Sequence, residues 1–365
     1  MSIYKDRIGT IRNLMEAKGL DSVCLSPGAN LYYLTAFATE AFERLTVAFI
    51  PKANEPVLVV PKLDEQKALQ HAAVENVIGF GDTEDPVAVL RTTLEKLHLE
   101  TATVGVEDHM PFRTYSQLIE AAPNLRAMRA SGILFQMRLR KSSEEVELLK
   151  RAGAIVDQGV KAAVETISAG ITELEAASKV EYNLKKLGGE KVPFCVVLGG
   201  PNSALPHGSP SERQFRQGDL VVMDFSTTYH GYFADVTRMV SIGQPNSRQM
   251  EVFETVLSAE QSAVENVKAG KAAGEIDAVA RGIIRGRGFG QYFVHRTGHG
   301  LGLEVHEKPE IVEGSKEILE PGMVFTVEPG IYLPGDFGAR IEDDVVVTAS
   351  GFELLTKSPR TLVVV

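Results

Sequence analysis

Residues Met223–Val240 read MDFSTTYHGYFADVTRMV, two β-rich arms on either side of the turn-forming cluster Thr228-Tyr229-His230-Gly231. If the arms pair as a hairpin centred near Tyr229 and His230, Asp224 falls opposite Asp235. Cross-strand partners have Cβ atoms ~5 Å apart, too close for two ionised carboxylates without a cation between them. A divalent metal is the obvious cation. The plain alternative is a solvated hairpin with two surface acids, and the rest of the chain decides between them.

Working outward, three compact polar segments follow, each in a strand or a Gly-rich turn. HRTGHGLGLEVHE begins at His295 and holds His299 and His306; TVEPGIY holds Glu328; ARIEDDVVVT holds Glu342. His207, in ALPHGSP, joins them, so half of the eight histidines fall in these four compact segments, which scattered surface histidines would not do. Asp224, Asp235, Glu328, Glu342 and His299 form an oxygen-rich set that suits Mn²⁺ or Co²⁺ before a thiolate-bound zinc. Two dications balance four carboxylates. At a separation of ~3.5–4 Å they can share a water acidified enough to act as hydroxide at neutral pH.

Other motifs are weaker. His295 and His299 have the spacing of zinc-binding helices, but Thr297-Gly298 opposes a helix and HExxH is absent. GHGLG and GRGFG do not continue into a nucleotide-binding pattern, and there is no GxSxG nucleophile elbow. Tyr229, Tyr232, Tyr292 and Tyr332 read as packing residues, His230 as a solvated turn residue, and Asp344 as a possible acceptor behind the ligands.

Upstream, residues 1–130 alternate helical stretches with short strands at Ser22–Leu25, Leu45–Ile50, Val57–Val60 and Thr103–Val106, an α/β domain with a mixed sheet. His71, His98 and His109 are isolated there. A basic connector, RLRK, precedes Ser142 and Glu145, a capping-box pair that opens an amphipathic helix; Thr172 and Glu175 repeat the signal. The expected division is 1–130, a connector at 131–141, and 142–365. The 365 residues carry a formal charge of −10 with Lys and Arg scattered, which gives nucleic-acid binding no support. No apolar run approaches the ~18 residues of a membrane helix. The N-terminus has no apolar signal core, and the two cysteines, Cys24 and Cys195, sit in apolar strand-like segments. A cytoplasmic location is expected.

Taken together, these segments resemble the proline-specific metallopeptidases of the pita-bread fold, the group containing prolidase and aminopeptidase P. NLYYLTAF from Asn30 and ERLTVAFIP from Glu43 are similar to the creatinase-type N-terminal domain of that group, and Ser142 onward to its catalytic domain. The resemblance implies an α/β two-domain fold and cleavage of the Xaa-Pro bond of small peptides, dipeptides first, with two divalent ions, Mn²⁺ ahead of Co²⁺ or Zn²⁺. Asp224 would hold one metal, His299 and Glu328 the other, and Asp235 and Glu342 would bridge both. Glu328 would also take a proton from the bridging water, and His207 and His306 would orient the peptide and stabilise the tetrahedral intermediate. His295 would line the substrate site. Arg340, on the strand face of Glu342, matches an arginine that assists substrate binding or orders the metal centre. A homodimer is implied as well.

Many prolidases carry an arginine shortly after the second catalytic histidine; between His306 and Glu328 this chain has Lys308 and Lys316 and no arginine, with Glu310 near the expected place. An Xaa-Pro aminopeptidase acting on longer peptides is therefore the close rival. A metal-free amidinohydrolase and a non-catalytic binding protein on the same scaffold are opposed by the intact ligand set.

Overall fold

The computed structural model describes residues 2–365 and divides into two compact units, Met1–Arg138 and Leu139–Val365. In the first, α1 (Ser2–Lys18), β1 (Ser22–Leu25) and α2 (Ala29–Thr35) lead to β2 (Val47–Pro51), β3 (Val57–Pro61) and α3 (Lys62–His71). The chain continues through β4 (Asn76–Phe80), α4 (Pro86–Leu97), β5 (Thr103–Val106), α5 (Phe112–Ala121), β6 (Arg126–Arg129) and α6 (Ser131–Leu139). The strands form one mixed sheet in the order β4-β3-β2-β1-β5-β6. Cys24, Phe49, Val59 and Val104 pack with Leu90, Leu94 and Leu118 in its core, the burial that an apolar strand run flanked by amphipathic helices demands. The short runs of α2, β4 and β6 carry little periodic signal in the sequence, and most of the expected connector, residues 131–139, forms α6.

The second unit repeats one plan twice. In the first half, α7 (Ser143–Val164) and α8 (Glu173–Lys186) precede β7 (Cys195–Gly199), β8 (Leu220–Tyr229) and β9 (Tyr232–Ser241). Both helices open with complete capping boxes, Ser142 with Glu145 and Thr172 with Glu175, each satisfying two backbone donors that a helix start leaves free. Val156, Val160, Val180 and Leu184 of these helices pack on Val197, Met223, Phe225 and Val236.

The second half begins with α9 (Ser247–Glu265) and α10 (Ala273–Gly286). It continues as β10 (Gly298–Gly300), β11 (Glu307–Ile311), β12 (Val324–Val327), β13 (Gly330–Leu333), β14 (Phe337–Arg340) and β15 (Asp343–Val347), and ends with β16 (Phe352–Leu354) and β17 (Val363–Val364). The strands of this unit make sheets in the orders β17-β9-β8-β7 and β11-β10-β12-β15-β16, with β13-β14 as a separate hairpin. Val252, Val256, Ile276 and Ala280 pack on Phe325, Val327 and Val345.

The β8–β9 hairpin differs from its expected register. Tyr229 pairs with Tyr232, so the two-residue loop is His230-Gly231, both at positive φ (48° and 79°). Such a loop matches the right-handed twist of the strands, and glycine takes its second position without steric cost. The centre therefore moves by one residue and the pairing by two: Asp224 faces Thr237, and Asp235 faces Ser226. A shift of two keeps both aspartates on one face as diagonal neighbours, where a shift of one would have separated them.

Candidate metal centre

Two sheets deliver the acids to one cavity. Asp224 and Asp235 come from β8 and β9; the β12–β15 register pairs Val327 with Asp343, so Glu328 and Glu342 leave those strands at the same end. The sheets meet where Glu342 N donates to Thr237 O at 3.2 Å and Thr237 Oγ1 donates to Glu342 Oε2 at 2.6 Å. Ligand atoms of Asp235, His299 and Glu342 all lie within 4.8 Å of one another, and all three residues are buried. His299 Nε2 is 3.3 Å from Glu328 Oε1.

His299 Nδ1 lies 3.1 Å from Gly300 O. A carbonyl only accepts, so the proton sits on Nδ1 and the Nε2 lone pair faces the acids, the tautomer a metal ligand requires. Burial drives the His299 pKa down to about 3, so the ring stays neutral. Thr326 Oγ1 accepts from His299 N at 3.2 Å and reaches Glu328 Oε1 at 3.4 Å, coupling two of the candidate ligands.

The carboxylates are only partly compensated within the chain. Oδ1 of Asp224 and Oδ1 of Asp235 are buried with no hydrogen-bond partner. Burial, then the neighbouring charges of Glu342 and Asp224, pushes Asp235 well above the usual carboxylate range. Burial and Glu328 do the same to Glu342, and burial raises Glu328 to about 7. Unpartnered buried carboxylate oxygens beside a neutral imidazole are what a site for divalent cations requires, and the residues fit the metal that the sequence implies.

Arg340 is a cation built into the cluster. It donates from Nη2 to Asp224 Oδ2, from Nη1 to the Tyr332 hydroxyl at 2.7 Å and from Nε to Thr237 Oγ1 at 3.2 Å. The Tyr332 hydroxyl then donates to His295 Nε2 at 2.8 Å, because His295 Nδ1 is committed to Arg296 O at 2.7 Å. His295 therefore presents its ring to the cavity rather than an N–H, and burial keeps it neutral, its pKa lowered to about 4. Tyr332, read from sequence as packing, belongs to this network. So does Thr237. Its signal was available: it lies two residues after Asp235, on the same strand face.

Behind the ligands, Asp344 Oδ2 accepts from Asp235 N at 2.9 Å, and buried Arg238 holds Glu342 O and Asp343 Oδ1 at 2.5 and 2.7 Å. The cavity has a volume of about 500 Å³. Its walls join the acids to His207, His295, His299 and His306, with Phe194, Val196 and Pro206 as an apolar side. His207 and His306 are exposed, and the His306 ring lies edge-on to His299 with centroids 4.3 Å apart.

Metal-free protein is expected to lose thermal stability as pH rises from about 7 to about 9. Glu260 on α9 is raised to about 9 by burial and by Asp343, and Asp235 and Glu342 are also raised. In this window the fold keeps protons that the unfolded chain has already released, so unfolding gains as pH climbs. His295 and His299 act in the opposite sense, but only below their ordinary value of 6.5. Melting curves after chelation check this; a midpoint that climbs across the window contradicts it.

Residues 147–349 match metallopeptidase family M24, and residues 7–140 match the creatinase/prolidase N-terminal domain. The Xaa-Pro dipeptidase of Pyrococcus furiosus is 36% identical over 359 residues, covering 98% of this chain and 99% of that protein. A prolidase from Thermococcus sibiricus has a solved structure with TM-score 0.95 and 38% identity, covering 99% of each chain. An X-Pro aminopeptidase from Thermotoga maritima has TM-score 0.85 and 36% identity, covering 95% of this chain and 98% of that one.

Proposed function

Since the chain belongs to metallopeptidase family M24, with a creatinase-type N-terminal domain and a pita-bread catalytic domain, we propose that it hydrolyses the Xaa-Pro bond of dipeptides at a two-metal centre. The observation that carries this reading is the convergence of Asp235, His299 and Glu342 within 4.8 Å, beside Asp224 and Glu328 in one cavity. Asp224 would hold one ion and His299 and Glu328 the other, with Asp235 and Glu342 available to both. When bound, two divalent ions, Mn²⁺ first and Co²⁺ or Zn²⁺ as alternatives, supply Lewis acidity for the scissile carbonyl and acidify a water.

The chain's own groups do the rest. Glu328 takes the proton that the attacking water gives up and passes it to the departing proline nitrogen. His207 and His306 donate N–H groups to the carbonyl oxygen as it gains charge. Arg340 fixes the Asp224 carboxylate by donating to its Oδ2, and Tyr332 holds the His295 ring in place. An Xaa-Pro bond has no amide hydrogen, so peptidases that grip an extended backbone handle it poorly. Polarising the carbonyl directly avoids that requirement. Phe194, Val196 and Pro206 offer the pyrrolidine ring an apolar wall, and about 500 Å³ suits a ligand of dipeptide size.

The aminopeptidase reading stays beside it, favoured by the likeness to the Thermotoga enzyme. Ala-Pro is expected to be cleaved and Ala-Pro-Ala-Ala spared, with activity lost to a chelator and restored by Mn²⁺. Robust turnover of the tetrapeptide moves the assignment to the aminopeptidase, and turnover indifferent to chelation removes the metal centre. The proposal extends to a homodimer, which sedimentation tests, and to a cytoplasmic location. Among the described residues no helix is long and apolar enough to cross a membrane.

A further inference from the structure

Resting on the role given to His306 above, we propose that the buried ion pair of Lys141 and Glu307 positions that histidine: it clamps the turn that ends in His306 and so sets how the ring meets the substrate carbonyl. Residues 301–306 lie between β10 and β11 and belong to neither strand. His306 is exposed, and among the described residues no hydrogen bond holds its ring. Its place edge-on to His299 therefore follows from the backbone of the turn.

One carboxylate holds that backbone from behind. Glu307 Oε1 accepts from Glu304 N at 3.0 Å, and Lys141 Nζ donates to Glu307 Oε2 at 3.2 Å, with both side chains 2% exposed. Gly302 N donates to Glu304 O at 3.2 Å, and Gly302 O accepts from Phe233 N of β9 at 2.8 Å. A Cβ on Gly302 would sit 2.7 and 2.8 Å from the two Glu307 carboxylate oxygens, so the turn closes onto the carboxylate at a residue without a side chain. Lys141, the last residue of the basic run RLRK, reaches in from a fixed base. Its N donates to Gly322 O at 2.8 Å, and the next residue caps α7. That helix start is tied to β9 in turn, since Glu145 accepts from Ser142 N at 2.9 Å and from the Tyr232 hydroxyl at 2.7 Å. Burying two charges costs solvation that their attraction only repays, so the pair adds little stability that apolar residues would not. What it adds is direction, and a misplacement of about 1 Å is enough to slow a reaction.

Lys141→Met alone strands a buried carboxylate and endangers the fold, so the test uses two other variants. Lys141→Met with Glu307→Gln removes both charges while the glutamine oxygen still accepts from Glu304 N, and Gly302→Ala displaces the carboxylate without changing any charge. Each is expected to lower kcat for Ala-Pro about 10- to 100-fold, with KM and bound metal per chain altered less than about twofold, because His306 acts as the carbonyl oxygen gains charge. In a His306→Ala background the same changes should lower kcat by less than about twofold, since the residue they position is gone. Hydrogen exchange on the metal-free protein reads the clamp without turnover: the amides of residues 302–306 should exchange about tenfold faster in both variants. Unchanged exchange, a fall in kcat that persists with His306→Ala, or a His306→Ala protein as fast as the wild type overturns the clamp. If the wild type cleaves no Xaa-Pro peptide, the proposed function fails, while the exchange of these amides still decides whether Lys141 and Glu307 hold the turn.

Discussion

Asp235→Asn is expected to reduce kcat/KM by a factor on the order of 10³ or more while leaving the metal-free protein at least as stable as the wild type. The two effects have one cause. Asp235 is buried, its Oδ1 has no partner, and it faces the charges of Glu342, Asp224, Asp344 and Glu328. Without cations that cluster of acids opposes the fold, so removing one acid relieves it; in the proposed centre the same acid would be a shared ligand, and losing it would weaken both sites. The amide also leaves the backbone intact, since Asp235 N still donates to Asp344. Three measurements decide: bound metal per chain, turnover of Ala-Pro, and melting temperature with and without Mn²⁺. The wild type should gain stability on Mn²⁺ addition and the variant should gain little. A variant that keeps its metal and its rate removes Asp235 from the centre.

Arg238→Met should cost about 3–5 kcal/mol of stability, the penalty for stripping one partner from a buried, hydrogen-bonded charge group. Arg238 is 2% exposed. Its Nη1 donates to Thr237 O at 2.9 Å and Glu342 O at 2.5 Å, its Nη2 to Asp343 Oδ1 at 2.7 Å and Ser358 O at 2.8 Å, and its Nε to Pro359 O at 3.1 Å. Methionine fills the volume but strands these acceptors, and Asp343 is left with Arg360 and Thr356. Arg238→Lys should recover only part of the loss, because a single ammonium cannot reach acceptors on opposite sides of a planar fork. Since Glu342 hangs from the same backbone, metal affinity should fall as well. The chain has no tryptophan, so the urea transition is best followed by far-UV circular dichroism. A loss below about 1 kcal/mol would mean that water replaces the arginine, against the burial seen here.

Much of the local structure was legible because it depends on neighbours in sequence. The capping boxes at Ser142 and Thr172 satisfy backbone donors three residues away, and both are complete in the fold. Histidine and carboxylate positions fell in strand or turn segments with period-2 alternation, and Asp224, Asp235, His299, Glu328 and Glu342 all reach one cavity. The hairpin centre lies one residue beyond its expected place. The preference of a tight loop for two residues at positive φ would have put it at His230-Gly231, and that signal sat in the quoted stretch.

What the sequence by itself determined, then, is the inventory: two units, the capped helices opening at Ser142 and Thr172, and an oxygen-rich set of candidate ligands in strand and turn segments, all consequences of chemistry within a few residues. Only the tertiary structure decided which donors meet. Arg340 reaches Asp224 across 116 residues, the Thr237 hydroxyl reaches Glu342 across 105, and Tyr332 turns from a packing residue into the link between Arg340 and His295. Such contacts arise where two separately built sheets meet, and their partners are set by the packing of both cores. No periodicity along a single strand encodes that distance.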